Sequence, residues 1–247
     1  MGPQFRQDLP ECEFAQTPLA AVLRFHRITE SKIALRYRHI IWDWNGTLID
    51  DLDICVEVMN GLLARRGLPL LDRVRYHALF DFPVRDYYSR LGFDLAEGGF
   101  ERLSVEFISA YETRRLDCRL HSGAEEILSA VVRAGATQSI LSAYRQKTLV
   151  EVVAHFGLAH HFVRLTGLDN IYAHSKEELG RAWIAELGLP PADVLVVGDT
   201  LHDLDVAGDM GADCILVAAG HHPEARLRAR HDRVVGGLAA LQSLLGL

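Results

Sequence analysis

The sequence predicts an α/β protein with a parallel sheet, interrupted after its first strand by an all-helical insertion. Three observations lead there. The run Asp193-Val-Leu-Val-Val-Gly198 is β-branched without polar alternation, as expected of a central parallel strand covered on both faces. From Ser122 to the C-terminus, strand-like and helix-like segments alternate, which implies right-handed crossovers. Between Asp53 and about Cys118 the periodicity is helical, with no convincing strand.

In chain order, residues 1–38 form an extension with no assigned role, in which Pro18 to Ile28 has the makings of a short helix. Tyr37–Asp43 reads as the first strand, an apolar run that ends on an acid and turns at Asn45-Gly46. Ile54, Val58, Leu62 and Leu63 keep helical spacing until Gly67. Helical segments follow at Arg73–Leu91, interrupted around Pro83, and at Phe100–Arg115. These place a helical domain at 53–118 and the α/β core at 39–52 and 119–247. Ser122-Gly-Ala-Glu125 has capping-box spacing before a helix at Ala124–Arg133. A strand at Thr137–Ser142, a helix at Gln146–Phe156 and a short strand at Phe162–Leu165 come next. Ser175-Lys-Glu-Glu178 is a second capping box, opening a helix to Leu187. After the central strand come a helix at Leu204–Met210, a strand at Cys214–Val217 and a helix at Pro223–Arg230. A short strand at Val234-Val235 and a helix at Leu238–Leu245 close the chain.

Composition narrows the function classes. A net charge of −7 provides no basic footprint for nucleic acid. No stretch approaches the ~18 apolar residues of a membrane span, and the mixed, acidic N-terminus does not read as a secretion signal. Four scattered cysteines without a Cys-x-x-Cys pair suit a reduced, cytoplasmic setting. The expected partner is therefore a small molecule, bound by a monomer or a homodimer.

Several polar residues fall where strands end or helices begin. Asp43 closes the first strand, Ser142 the second, Lys176 stands in a first helical turn, and Asp199 and Asp203 follow Val-Val-Gly198. In a parallel sheet all of these converge on the carboxyl edge, where ligands bind. A cation in a first helical turn opposes the dipole, so Lys176 needs some other reason to be there. Two or three carboxylates suit Mg²⁺, a hard cation that prefers oxygen. Backbone N–H groups of the loops at Gly46 and Ala143, the Thr47 and Ser142 hydroxyls and Lys176 can hold the oxygens of a phosphoryl group. Asp43 would then attack in line to form an aspartyl phosphate, which water hydrolyses.

Asp43-x-Asn-Gly-Thr-Leu, Ser142, Lys176 and Gly198-Asp199-x-x-x-Asp203 together resemble the four motifs of the haloacid dehalogenase superfamily, in their usual order. The insertion is similar to that superfamily's helical C1 cap, and the chain looks most like its phosphoglycolate-phosphatase-type members. The resemblance implies a Rossmann-like core and a Mg²⁺-dependent phosphatase of small phosphomonoesters. It implies that Asp43 is the nucleophile, that Ser142 and Lys176 bind phosphate, and that Asp199 ligates the metal. Asp203 would support the metal's water or the lysine, and the main-chain carbonyl of Asn45 would be a further ligand.

One position departs from that pattern. Asn45 stands where these phosphatases carry an acid–base Asp, and an amide cannot shuttle a proton. Positioned acid–base groups contribute ~10²–10⁴-fold, so slow turnover is expected. A substrate with a good leaving group, substitution by His202, or a persistent phospho-enzyme would each accommodate the change. A regulatory binding protein and a phosphomutase are the alternatives to a phosphatase; a dehalogenase fits less well, because the acidic pair in motif four suggests a metal. His221-His222 and His160-His161 read as exposed loop residues, Trp42 and Trp44 as packing, and Asp50 and Asp51 as the start of the insertion. Arg65, Arg66, Arg85, Arg90, Arg114 and Arg115 could include an anchor for the leaving group, with most of them solvated.

Overall fold

The computed structural model describes residues 35–168 and 176–247. The helix expected at Pro18–Ile28 and the Ser175 capping box lie outside them. Strand β1 (His39–Trp42) is wholly buried and leads through the Asn45-Gly46 turn to a two-residue strand, β2 (Ile49–Asp50). Four helices follow: α1 (Leu52–Ala64), α2 (Arg73–Leu79), α3 (Val84–Arg90) and α4 (Gly99–Glu112). The segment expected at Arg73–Leu91 is thus two helices, parted by Phe80–Pro83; proline lacks the N–H that a continuous helix would need. The chain returns along β3 (Arg119–Leu120), antiparallel to β2.

The remainder alternates: α5 (Ala124–Arg133), β4 (Thr137–Arg145), α6 (Gln146–His155), β5 (Arg164–Leu168), α7 (Lys176–Leu187), β6 (Val194–Gly198), α8 (Leu201–Met210), β7 (Asp213–Val217), α9 (Glu224–Arg228), β8 (Val234–Val235) and α10 (Leu238–Leu245). The six main strands form one parallel, Rossmann-like sheet in the order β5-β4-β1-β6-β7-β8. From β1 the chain steps outward to β4 and β5, then returns to the other side of β1 to lay down β6. That reversal is the switch point at which such sheets open a crevice. Trp42 pairs with Ile140 on one side and Val197 on the other, so Asp43 leaves β1 level with the end of β6 and beside Leu141 of β4. The N–H of Asp43 continues the ladder, donating to the Val197 carbonyl at 2.8 Å.

Some local expectations needed correction. The Ser122 capping box does not form: Gly123 takes the N-cap position at φ +86° with no side-chain cap, which leaves Ser122 exposed. β4 runs to Arg145, and its register with β5 shifts between Leu141 and Arg145, around Ser142. β5 begins at Arg164, not Phe162, where Ser139 becomes its partner. One apolar cluster joins sheet and insertion, running from Ile40 and Ile140 to Leu62 of α1 and Leu103 of α4. Trp42 and Trp44 are both completely buried, as their packing role required.

His39 is an exception inside this core. Its ring nitrogens lie 2.7 Å from Thr137 Oγ1 and 2.8 Å from Ser139 Oγ, and Trp183 also donates to Ser139 at 2.9 Å. Burial pushes the imidazole down to about 3. The folded protein therefore keeps His39 neutral at pH values where the unfolded chain, near 6.5, takes up a proton. Stability is expected to fall as pH drops from about 6.5 towards 3. Urea titrations of wild type and His39→Gln across that range should give a flatter pH profile for the variant.

Candidate active site

Lys176 is the residue at which the predicted site meets. Its ammonium, on the first turn of α7, donates to Asp43 Oδ1 at 2.5 Å and to Asp203 Oδ1 at 2.6 Å, all three side chains being buried. This supplies the reason missing from the sequence for a cation at a helix start. Asp203 is fixed by a capping box with Thr200, whose N–H and hydroxyl donate to Asp203 Oδ2 at 3.0 and 2.7 Å. Asp199 accepts from the Thr47 hydroxyl at 3.0 Å and from the His221 N–H at 2.6 Å. Carboxylate oxygens of Asp43, Asp199 and Asp203 all lie within 4.8 Å of one another.

The approach around Asp199 is close enough to dictate glycine. A Cβ on Gly46, which sits at φ +76°, would come within 2.3 Å of Asp199 Oδ2, and one on Gly220 within 2.2 Å. Gly46 and Thr47 are both engaged with the acids of the site. The Gly46 N–H donates to Asp51 Oδ1 at 3.0 Å and to the Ile49 carbonyl at 2.9 Å, and the Thr47 hydroxyl is engaged by Asp199. Both residues brace the acids and neither lines the cavity in front of them. That cavity, of about 180 Å³, is lined by Asp43, Asn45, Ser142, Ala143, Lys176 and Asp199, among others.

Sequence reasoning missed a second layer. Asp51 is buried, not merely the start of a connection. Asn45 Nδ2 donates to Asp51 Oδ2 at 2.8 Å and to the Tyr111 hydroxyl at 2.9 Å, while that hydroxyl donates to the same Asp51 oxygen at 2.9 Å. His221 and His222, expected on the surface, are both buried. His221 Nε2 lies 3.2 Å from Asp51 Oδ1 and its Nδ1 2.8 Å from the Tyr76 hydroxyl. Burial works against a charge on His221, but the Asp51 carboxylate holds its pKa up at about 9, so the ring is an imidazolium. His222 is driven by burial down to about 4, and its Nδ1 accepts from the Leu201 N–H at 3.1 Å. No sequence signal joined His221 to Asp51. The Thr200-x-x-Asp203 spacing was a usable signal, with Asp in the place usually taken by Glu.

His202, a candidate for proton transfer, stacks on Phe82 with ring centroids 4.6 Å apart, and burial lowers its pKa. None of the six arginines named above is among the residues that line the cavity. Arg65 and Arg66 pair with Glu106, Arg85 with Glu101 and Arg90 with Asp81. Arg114 pairs with Glu57 and Arg115 with Glu151. Acids on neighbouring helices turn them away from the site.

Charge bookkeeping at the site is uneven. Asp43, Asp51, Asp199 and Asp203 bring four carboxylates, against two cations in Lys176 and His221. Burial pushes the Asp43 carboxyl upward, Lys176 draws it back, and Asp203 and Asp199 raise it again. Burial likewise lifts Asp199 to about 6, with His221 opposing and Asp203 adding to the rise. An excess of two buried negative charges on hard oxygen donors fits a divalent cation. The neighbouring trio of Asp51, Cys55 and His221 does not, because its imidazole is protonated and burial raises the Cys55 thiol far above its usual range.

The pattern of the haloacid dehalogenase-like hydrolases matches residues 40–217, and the chain belongs to that family. It is 32% identical over 220 residues to a 5'-nucleotidase of Pseudomonas aeruginosa, covering 86% of this chain and 97% of the relative. It is 28% identical to an N-acetylmuramic acid 6-phosphate phosphatase of Pseudomonas putida, over 77% of this chain and 87% of that one. A predicted phosphoglycolate phosphatase from Haemophilus somnus superposes with a TM-score of 0.69 at 20% identity, covering 85% of this chain and 98% of the other.

The raised pKa of Asp199 gives a test of the cation site that needs no substrate. Above pH 6 Asp199 adds its full charge to the repulsion and to a cation's affinity; below it, protonation of Asp199 relieves one and weakens the other. Mg²⁺ is expected to raise the melting temperature at neutral pH and to lose that effect as pH falls through about 6. Asp199→Asn should abolish it, as read by differential scanning fluorimetry.

Proposed function

We propose that this hydrolase cleaves small phosphomonoesters by way of an aspartyl phosphate on Asp43. The observation that carries the reading is the convergence of Asp43, Lys176, Asp199 and Asp203 on one edge of the sheet, beside a cavity large enough for a substrate. The phosphatases among its relatives support it. A Mg²⁺ ion held by Asp43, Asp199, Asp203 and the Asn45 carbonyl would neutralise charge on the phosphoryl group.

The chain's own residues do the rest. Ser142 and the main chain at Ala143, next to Asp43 on the cavity wall, anchor the phosphoryl oxygens. The Lys176 ammonium offsets their charge, orients the Asp43 carboxylate and favours its ionised form against the effect of burial. An oxygen of Asp43 attacks phosphorus, the ester P–O bond breaks, and the leaving oxygen takes its proton from solvent, since Asn45 has none to give. Water then attacks the same phosphorus, loses a proton to solvent and releases phosphate, restoring the carboxylate. We take α1–α4 as a cap (53–118) over a core formed by 39–52 and 119–247, and place the enzyme in the cytoplasm. Phosphoglycolate, whose phosphatases resemble this chain, is one candidate substrate.

Phosphate release from a panel of phosphomonoesters with Mg²⁺ tests the proposal. Asp43→Asn is expected to lower kcat by about a thousandfold or more on every substrate. Release that is indifferent to Asp43 would overturn it, and tight binding of a phosphate mimic without any release would favour the regulatory reading. The Asn45→Asp variant is expected to raise kcat, by up to about a hundredfold. Because the new carboxyl would face Asp51, the double variant Asn45→Asp/Asp51→Asn, which restores an amide–carboxyl pair, should gain more. Steady-state kcat of both, compared with wild type, decides the matter.

A further inference from the structure

Away from Asp43 the cavity is walled by aromatic rings. Phe80, Phe82 and Phe107 are half-buried, and with Val84 and Ile108 they present apolar surface to its interior. Phe80 lies parallel to Tyr76 with centroids 5.1 Å apart, and Phe107 is stacked on Tyr111 at 6.2 Å. These stacks fix the orientation of the rings that line the cavity, and aromatic rings pack favourably against one another.

Charge points the same way. Among the described residues of the lining, the cations are Lys176, held between two carboxylates, and His221, held by Asp51. A carboxylate or second phosphate on the leaving group would sit at this wall without a counter-charge, which is costly. The Tyr87 hydroxyl and His202 Nε2, on two residues of the lining, are buried behind the wall without a hydrogen-bond partner. Unpartnered buried polar atoms are uncommon and call for an explanation.

Asn45 adds an independent argument. Without a proton donor for the leaving oxygen, the site handles a phenol-type oxygen, whose conjugate acid has a pKa of about 10, far better than an aliphatic alkoxide.

We infer that the leaving group of the natural phosphomonoester carries an uncharged aromatic ring, received by the wall of Phe80, Phe82 and Phe107. The inference rests on the phosphatase reading above. An aryl phosphate carries such a ring on the phosphoryl oxygen and satisfies both arguments; a nucleoside monophosphate carries one a sugar away, leaves as an aliphatic alkoxide and satisfies only the argument from the wall.

The test compares phenyl phosphate, a nucleoside 5'-monophosphate, phosphoglycolate and acetyl phosphate, the last having a good leaving group and no ring. With the full chain and Mg²⁺, at least one ring-bearing ester is expected to show a KM about tenfold below those of phosphoglycolate and acetyl phosphate. Preference for phenyl phosphate places the ring on the phosphoryl oxygen, and preference for the nucleotide places a sugar between. Phe82→Ala and Phe107→Ala should each shift the ratio of ring-bearing to acetyl phosphate KM by about tenfold, with Phe82→Leu intermediate. As a readout that needs no variant, phenylphosphonate should inhibit the wild type more tightly than methylphosphonate. Equal or tighter handling of the ringless compounds overturns the inference and leaves the phosphatase reading standing. Release from none of the four esters, nor from any of the wider panel, overturns both.

Discussion

The contact on which the rest depends is that of one buried ammonium with two buried carboxylates. Lys176, Asp43 and Asp203 belong to three segments, with 133 residues separating Lys176 from Asp43. Each charge taken alone would be expensive to remove from water, and removing one member of a buried pair typically costs about 3–5 kcal/mol. The cluster therefore persists only while all three segments are in place, and it ties the start of α7 to the switch point of the sheet. Thr200 fixes Asp203, while Thr47 and the His221 backbone fix Asp199. The same constraint that holds the sheet edge together thus concentrates charge where a phosphoryl group would arrive.

Asn45 is consistent with this arrangement and is not an isolated defect. Its amide bridges the Asp51 carboxylate and the Tyr111 hydroxyl, and Asp51 in turn faces the charged His221. A carboxylate at position 45 would stand 2.8 Å from that of Asp51, and the two would repel strongly in a buried setting. Within this network an amide is the residue that satisfies its neighbours. Local and tertiary preferences agree at position 45 even though the resemblance to related enzymes led to a different residue there.

Much of the fold was legible because parallel strands write themselves plainly. Ile40–Trp42 and Val194–Gly198 are apolar runs that stop at acids, and the sheet places both where that pattern required. The polar second layer was hidden for a physical reason: its bonds are made across the fold. His221 meets Asp51 and Tyr76 only through tertiary structure, 145 residues from the latter, and no spacing records such a contact. The same holds for the arginines of the insertion. Their places on or just after helices were readable, but they pair with acids such as Glu106 and Glu57 on other elements. Gly46 and Thr47 were correctly drawn to the site by their neighbours in sequence. Their donors meet the buried acids, a contact that spacing in the sequence does not record.

The two ends of the cavity are physically joined, and this bears on how selection and chemistry relate. The ring wall stands on the helices of the insertion, and the charged floor stands on the sheet. Phe80 stacks on Tyr76, the Tyr76 hydroxyl meets His221, and the His221 N–H holds Asp199. Arg226 of α9 also donates to the Phe80 carbonyl at 2.7 Å and pairs with Asp81, pinning the loop before α3 to the core. A group settling against Phe80 therefore touches a chain of contacts whose other end is an acid of the cation site. Phosphoryl transfer gains chiefly from positioning and charge placement, so recognition at the wall and geometry at the floor draw on one set of interactions. A leaving group that fits the wall would stabilise the arrangement in which the floor is ready to act, which is how binding energy distant from phosphorus can serve the reaction.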